Sequence, residues 1–198
     1  MILVFDLGNV LMKFEMHDFL MNALEGKSVV DEVYETIFKS KEWLLLDQGM
    51  IKIEDAFETF KERKPHLVKE IQFTFDNWMD QLVPVEKNTT YLKVLKEKGY
   101  SLYFLSNYHE VSSAYCFKKF DFFKLFDGGV WSHAVKINKP DRRIYEVLLE
   151  KYNLPADECL FIDDLEENCE VARAVGMNAV CYNRHMDLPE TLANFLLV

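Results

Sequence analysis

The 198-residue chain has only five prolines, and its four cysteines, Cys116, Cys159, Cys169 and Cys181, form neither a C-x-x-C pair nor a dense framework. Few prolines beside 14% aromatic residues exclude a disordered chain. The cysteine spacing excludes a disulfide scaffold and fits reduced thiols packed in a cytoplasmic protein. No run of basic residues is present, and a formal net charge of -10 argues against non-specific binding to nucleic acid. No uncharged stretch reaches the length that a bilayer requires, so no membrane partner is expected. The apolar opening residues are too few for a secretory signal core, lack basic residues ahead of them and are broken at Asp6. What the chain does have is 49% apolar residues in a length that fits one ordinary domain, or a core with one insertion. Repeats and low-complexity tracts are missing, and nothing in the sequence sets an oligomeric state.

Ile2 to Phe5 form an unbroken apolar run that ends at Asp6 and passes into Gly8 and Asn9. Such a run predicts a strand buried on both faces of a parallel sheet. Asp6 then stands at the carboxyl end, where ligands gather in open α/β sheets. A carboxylate there calls for a metal, a basic partner or a reacting group; read locally, a simple turn also accounts for it.

From about Glu15 to Val83 helical spacings replace strand patterns, as in Val33 with Ile37, Ile53 with Phe57, Phe57 with Phe60 and Leu67 with Ile71. Asp47-Gln48-Gly49 reads as a helix stop and turn, and Pro65 as the opening of a further helix. The segment is expected to be an inserted bundle of four or so helices.

Beyond it, helix and strand alternate. Asn88 or Thr89 is expected to cap a helix that Gly99 closes, and a strand over 101–105 delivers Ser106 and Asn107. A crowded aromatic helical stretch from Tyr115 to Phe126 closes at Asp127-Gly128-Gly129, followed by a short strand at Val130 and Trp131. Lys139-Pro140-Asp141 opens the next helix, where a lysine opposes the helix dipole and so needs some other gain. A strand over 160–162 runs into Asp163 and Asp164, a helix carries Asn168 to Gly176, and a last strand covers 179–181. The expected fold is therefore α/β: a doubly wound, Rossmann-like parallel sheet formed by residues 1–15 and 84–198, with an α-helical cap formed by 16–83.

Three strand ends thus present Asp6, then Ser106 with Asn107, then Asp163 with Asp164, while a helix start brings Lys139. Carboxylates converging on one edge repel unless a cation or a proton sits between them. Oxygen ligands without a cysteine or histidine cluster favour magnesium over zinc. A hydroxyl, an amide and an ammonium beside such an ion make a cradle for an anion such as phosphate.

The order DLGNV, LSN, NKPDRRIY and FIDD, with Asn168 beyond, resembles the haloacid dehalogenase superfamily of hydrolases, and the helical insertion lies where that superfamily places a small cap. Within it, the motifs resemble a bacterial branch that includes sugar-phosphate phosphatases such as glucose-1-phosphate phosphatase. The resemblance implies a magnesium-dependent phosphatase for a small phosphorylated metabolite, a sugar phosphate by that branch. Asp6 would be the nucleophile that forms an aspartyl-phosphate. Ser106 and the Asn107 amide would hold the phosphoryl oxygens, and Lys139 would neutralise charge on Asp6 and the transferring group. Asp6, the Gly8 carbonyl and Asp164 would hold the metal, with Asp163 and Asn168 as further ligands or as partners that orient bound water.

One position departs from the pattern. Most phosphatases of the superfamily carry a second aspartate two residues after the nucleophile, as general acid and base, and here that position is Gly8. Glu15, His17 and His109 are the replacement candidates. Trp43, Trp78 and Met79 are candidates for the substrate side of the cap, or for its core, and His133 has no assigned chemistry. A carbon-halogen hydrolase, which needs no metal, and a binding protein that retains the pocket are the alternatives.

Overall fold

A computed structural model describes residues 1–195. Five parallel strands, β1 (Ile2–Phe5), β2 (Ser101–Ser106), β3 (Gly128–Trp131), β4 (Cys159–Asp163) and β5 (Asn178–Cys181), lie in the order β3-β2-β1-β4-β5. Leu3 stands in register with Leu102 and Leu160, so the opening apolar run occupies the centre of the sheet. Alternate residues face opposite layers, as the strand period demands. Leu3, Phe5, Phe104 and Ile162 meet one apolar cluster, while Val4, Leu105 and Phe161 meet the other.

Five helices lie between β1 and the second half of the sheet: α1 (Met16–Ala23), α2 (Lys27–Ile37), α3 (Lys41–Asp47), α4 (Ile53–Arg63) and α5 (Val68–Asn77). Their buried faces include Val33, Ile37, Phe60 and Ile71, the residues picked out by their spacing, and they join the Leu3 side of the sheet in one continuous cluster. Ser40 accepts a hydrogen bond from the Trp43 amide at 3.1 Å and so caps α3. Pro65 opens a 3-10 turn (Pro65–Leu67) that leads into α5. Where the chain leaves and re-enters the sheet layer, Lys13 N donates to Val83 O and Val85 N to Leu11 O, both at 2.8 Å.

The remaining helices are α6 (Glu86–Glu97), α7 (Glu110–Lys119), α8 (Ser132–Val135), α9 (Arg142–Tyr152), α10 (Glu166–Ala174) and α11 (Leu188–Ala193). Leu92 of α6 and Leu188 of α11 pack on the Leu3 face, and Ile144 of α9 with Ala172 of α10 on the Val4 face. Among the described residues no helix is long and apolar enough to cross a membrane.

Two local expectations are corrected. Helix α6 begins at Glu86 with Val85 at its N-cap, without a side-chain cap. Asn88 is instead buried in the first turn, where its Nδ2 donates to Val10 O at 2.7 Å and to the Tyr182 hydroxyl at 3.1 Å. A tertiary bond has displaced the local one. Likewise Gly128 and Gly129 are not a turn but the first half of β3. A β-carbon at Gly129 would collide with the Phe104 ring, so glycine there admits a close aromatic neighbour.

Candidate active site

The carboxyl ends of β1, β2 and β4 lie side by side, and each ends in a polar residue. Asp6 N donates to Ile162 O at 2.8 Å, which carries the ladder one residue past β1 and fixes where the Asp6 side chain leaves the sheet. Ser106 Oγ donates to Asp6 Oδ1 at 2.7 Å. From the loop before α9, Lys139 Nζ reaches Asp6 Oδ1 at 2.7 Å and Asp163 Oδ2 at 2.6 Å. These two bonds are the gain that holds a lysine beside a helix start.

All three charged groups are enclosed: Asp6 is 7% exposed, Lys139 6% and Asp163 0%. Burial acts to lower the Lys139 pKa, but Asp6 and Asp163 outweigh it and hold the ammonium charged. Burial raises Asp6 to about 7; Lys139 pulls against this, and the charges of Asp163 and Asp164 add to it. Asp163 is fully bonded, its Oδ1 accepting from Leu165 N and Asn168 Nδ2, both at 2.9 Å. Asp164 is half-buried, raised chiefly by burial, and its Oδ2 accepts from Asn9 Nδ2 at 2.9 Å. Asn9 holds this position with a left-handed backbone, φ 55°, which asparagine tolerates better than most residues.

Carboxylate oxygens of Asp6, Asp163 and Asp164 lie within 4.8 Å of one another. Asn168 Oδ1 is buried beside them without a hydrogen-bond partner. An all-oxygen donor set with a buried acceptor to spare fits a hard divalent cation such as magnesium. Asn107 plays a different part with its side chain, donating to Lys139 O at 3.0 Å and accepting from Lys139 N at 2.8 Å. It fixes the main chain that carries Lys139.

A cavity of about 200 Å³ opens over this cluster, with Asp6, Gly8, Asn107 and Asp164 on the sheet side. Its other walls include Phe14, Trp43, Trp78, Leu82, Tyr108, His109 and Ser112, together with Asp47. The His109 ring packs against both Trp43 and Trp78, with centroids 5.5 and 5.2 Å away, and the two indoles touch each other at 5.3 Å. Its Nδ1 accepts the Ser112 amide at 3.4 Å, which leaves the proton of the neutral ring on Nε2. Burial depresses this histidine to about 4. Its Nε2 and the Tyr108 hydroxyl are both buried without a partner.

Of the sequence candidates, Asp6, Ser106, Lys139 and Asp163 are thus brought into direct contact, and Gly8, Asn107, Asp164 and Asn168 surround them. Trp43 and Trp78 serve both as packing and as wall, whereas Met79 packs against the core and does not line the cavity. Glu15 pairs with Arg184 at 3.1 Å and His17 with Asp31 at 2.8 Å, both beside a neighbouring cleft. His133 bonds Ser113 Oγ at 2.9 Å. Sequence reading missed Asp47, which it took as part of a turn. Burial raises Asp47 to about 7, the His109 amide opposes this, and the charge of Asp6 adds to it.

A family model described as haloacid dehalogenase-like hydrolase matches residues 1–176. The chain is 30% identical to a sesquiterpene phosphatase of Aspergillus oryzae over 179 residues, which cover 88% of this chain and 85% of that protein. It is 24% identical to a phosphorylated carbohydrates phosphatase of Thermotoga maritima, over 89% of this chain and 82% of that one. Among solved structures, a haloacid dehalogenase-family enzyme of Bacteroides thetaiotaomicron in complex with magnesium and inorganic phosphate superposes with a TM-score of 0.74 at 23% identity, over 96% and 97% of the two chains.

Proposed function

The chain belongs to the haloacid dehalogenase-like hydrolases, and on that premise we propose that it is a magnesium-dependent phosphatase for a small phosphorylated metabolite. The observation that carries this reading is the buried Asp6-Lys139-Asp163 bridge with Asp164 beside it. A reaction that needs no metal gains nothing from crowding three carboxylates, and this favours phosphate chemistry over carbon-halogen hydrolysis. The names of the two phosphatase relatives support it as well.

In this reading Asp6 attacks phosphorus and forms an aspartyl-phosphate, which water then hydrolyses. Ser106 orients Asp6 through its hydrogen bond and turns toward a phosphoryl oxygen once one is bound. Lys139 offsets charge on the nucleophile and on the transferring group. Asp6, Asp164, the Gly8 carbonyl and Asn168 Oδ1 are the groups that would hold magnesium, with Asp163 orienting Lys139 and Asn168. Bound there, magnesium supplies positive charge that offsets repulsion between carboxylate and phosphate.

The motifs point toward a sugar phosphate, and the wall of the cavity favours a more apolar ester. Phe14 and Leu82 give a sugar's hydroxyls nothing to bond, and Trp43 and Trp78 offer ring faces with one indole N–H donor each. Polar groups are set singly among these aromatic faces, at Asp47, Tyr108, His109 and Ser112.

Phosphate release from hexose, aryl and isoprenyl phosphates, with and without magnesium, tests the proposal. Release is expected with the metal, lost on chelation and in Asp6→Asn, with higher kcat/KM for the apolar esters. Halide release from 2-haloacids without metal would overturn it in favour of a dehalogenase, and absence of turnover on every ester would favour a binding protein.

A further inference from the structure

With Gly8 at the usual position of the proton donor, some other group must protonate the leaving oxygen and activate water. The cavity narrows the choice. Glu15 and His17, candidates by sequence, are paired with Arg184 and Asp31 beside the neighbouring cleft. His109 has one nitrogen held by the Ser112 amide and is neutral, so it can donate a hydrogen bond but not give up a proton readily. Tyr108 is raised well above its usual range by burial. Asp164 belongs to the cation-binding set. The carboxyl that remains among the described residues lining the cavity is Asp47.

Asp47 is also firmly placed. It ends α3, in the inserted helical segment, and lines the same cavity as Asp6, which stands at the end of β1. Its carbonyl accepts from the hydroxyl of Ser132, and that same oxygen accepts from Tyr108 N at 3.0 Å, so one serine joins the end of α3 to the loop after β2. Next to it, Gln48 Nε2 donates to Lys136 O at 3.0 Å, Lys136 Nζ to Gly49 O, and Asn138 Nδ2 to Leu44 O at 2.8 Å. Gly49 has φ +65°, and a β-carbon there would stand 2.7 Å from His133 O, so glycine allows this close seat.

We propose that Asp47 is the general acid and base of this site, reaching from the cap to do what no side chain at position 8 can. In the first step the Asp6 oxygen-phosphorus bond forms, the bond from phosphorus to the leaving oxygen breaks, and the Asp47 proton passes to that oxygen. In the second, a water oxygen bonds to phosphorus, the Asp6 oxygen-phosphorus bond breaks, and a water proton returns to Asp47. In-line displacement puts the leaving oxygen on the face of phosphorus away from Asp6, which is the cap side. A carboxyl raised toward neutrality suits both halves of the cycle.

The inference rests on the phosphatase reading, and its test separates the two. Asp47→Asn preserves size and hydrogen bonding. With magnesium present, it is expected to lower kcat on an alkyl phosphate about 10²- to 10⁴-fold. With 4-nitrophenyl phosphate, whose leaving group needs no proton, it should give a rapid burst of about one nitrophenolate per site followed by slow turnover, because only the second step still lacks its base. Adding Gly8→Asp should restore turnover on the alkyl ester. A β-carbon at position 8 meets only Asp6 Oδ2, at 3.7 Å, so the site has room to begin that side chain. If Asp47→Asn slows both esters by the same factor without a burst, or leaves both unchanged, Asp47 is structural and the assignment falls while the phosphatase reading stands. A wild-type protein that hydrolyses no ester overturns both.

Discussion

Lys139 stands between two carboxylates that have little contact with water, and its removal leaves Asp163 without its cationic partner and drives Asp6 further toward its neutral form. Breaking a buried pair on one side costs about 3–5 kcal/mol. Lys139→Met should therefore lower the free energy of unfolding by about that amount in urea titration and abolish phosphate release. A small stability change would mean that the pair is solvated. Asp6, Ser106, Lys139 and Asp163 were legible in the sequence because each lies at the end of an apolar run or the start of a helix. Asp47 was not, because the end of α3 that carries it is seated by Ser132, Lys136 and Asn138, residues some 90 positions away that no local spacing reveals.

Helices are held to their neighbours by side-chain bonds that pattern alone does not show. Glu42 of α3 takes both guanidinium nitrogens of Arg63 at the end of α4, at 3.1 and 2.6 Å. The Arg63 hydrogen bonds lower the Glu42 pKa below its ordinary 4.5, and the side chains are 8% and 41% exposed. Because the folded pKa is the lower one, the pair's stabilisation is full above the ordinary value and is lost as pH falls through the folded one. With Arg63 partly in water, Glu42→Gln is expected to cost about 1 kcal/mol at pH 7. That difference from wild type should vanish in acid; a difference that persists there would show a packing effect instead. At this scale strands were easier to read than helix starts. The run at Ile2 to Phe5 has no competing interpretation, whereas Asn88, a good cap by type, is drawn away by Val10 and Tyr182.

The whole molecule is built on a parallel sheet whose central strand runs into Asp6, the proposed nucleophile; the alternation of helix and strand in the sequence implies such a sheet, while the order β3-β2-β1-β4-β5 comes from the structure. The seating of the α1–α5 layer could not be read, because it depends on isolated hydrogen bonds rather than on a periodic pattern. A ligand that binds only the folded state stabilises it by about 2.7 kcal/mol at a hundredfold excess over Kd. Magnesium should therefore raise Tm by several degrees, and Asp164→Asn should remove most of that rise in differential scanning fluorimetry. An equal shift in the variant would place the ion elsewhere. The helical layer is bonded to the sheet layer at residues 11–13 and 83–85, where α3 meets Ser132, Lys136 and Asn138, and where the Tyr115 hydroxyl of α7 donates to Asp80 at 2.8 Å. A chamber fastened at several separate places along the chain resists widening more than one hinged at a single edge. For the proposed phosphatase, an ester larger than the cavity would have to displace the α3 contacts, so those bonds would set an upper size for the substrate.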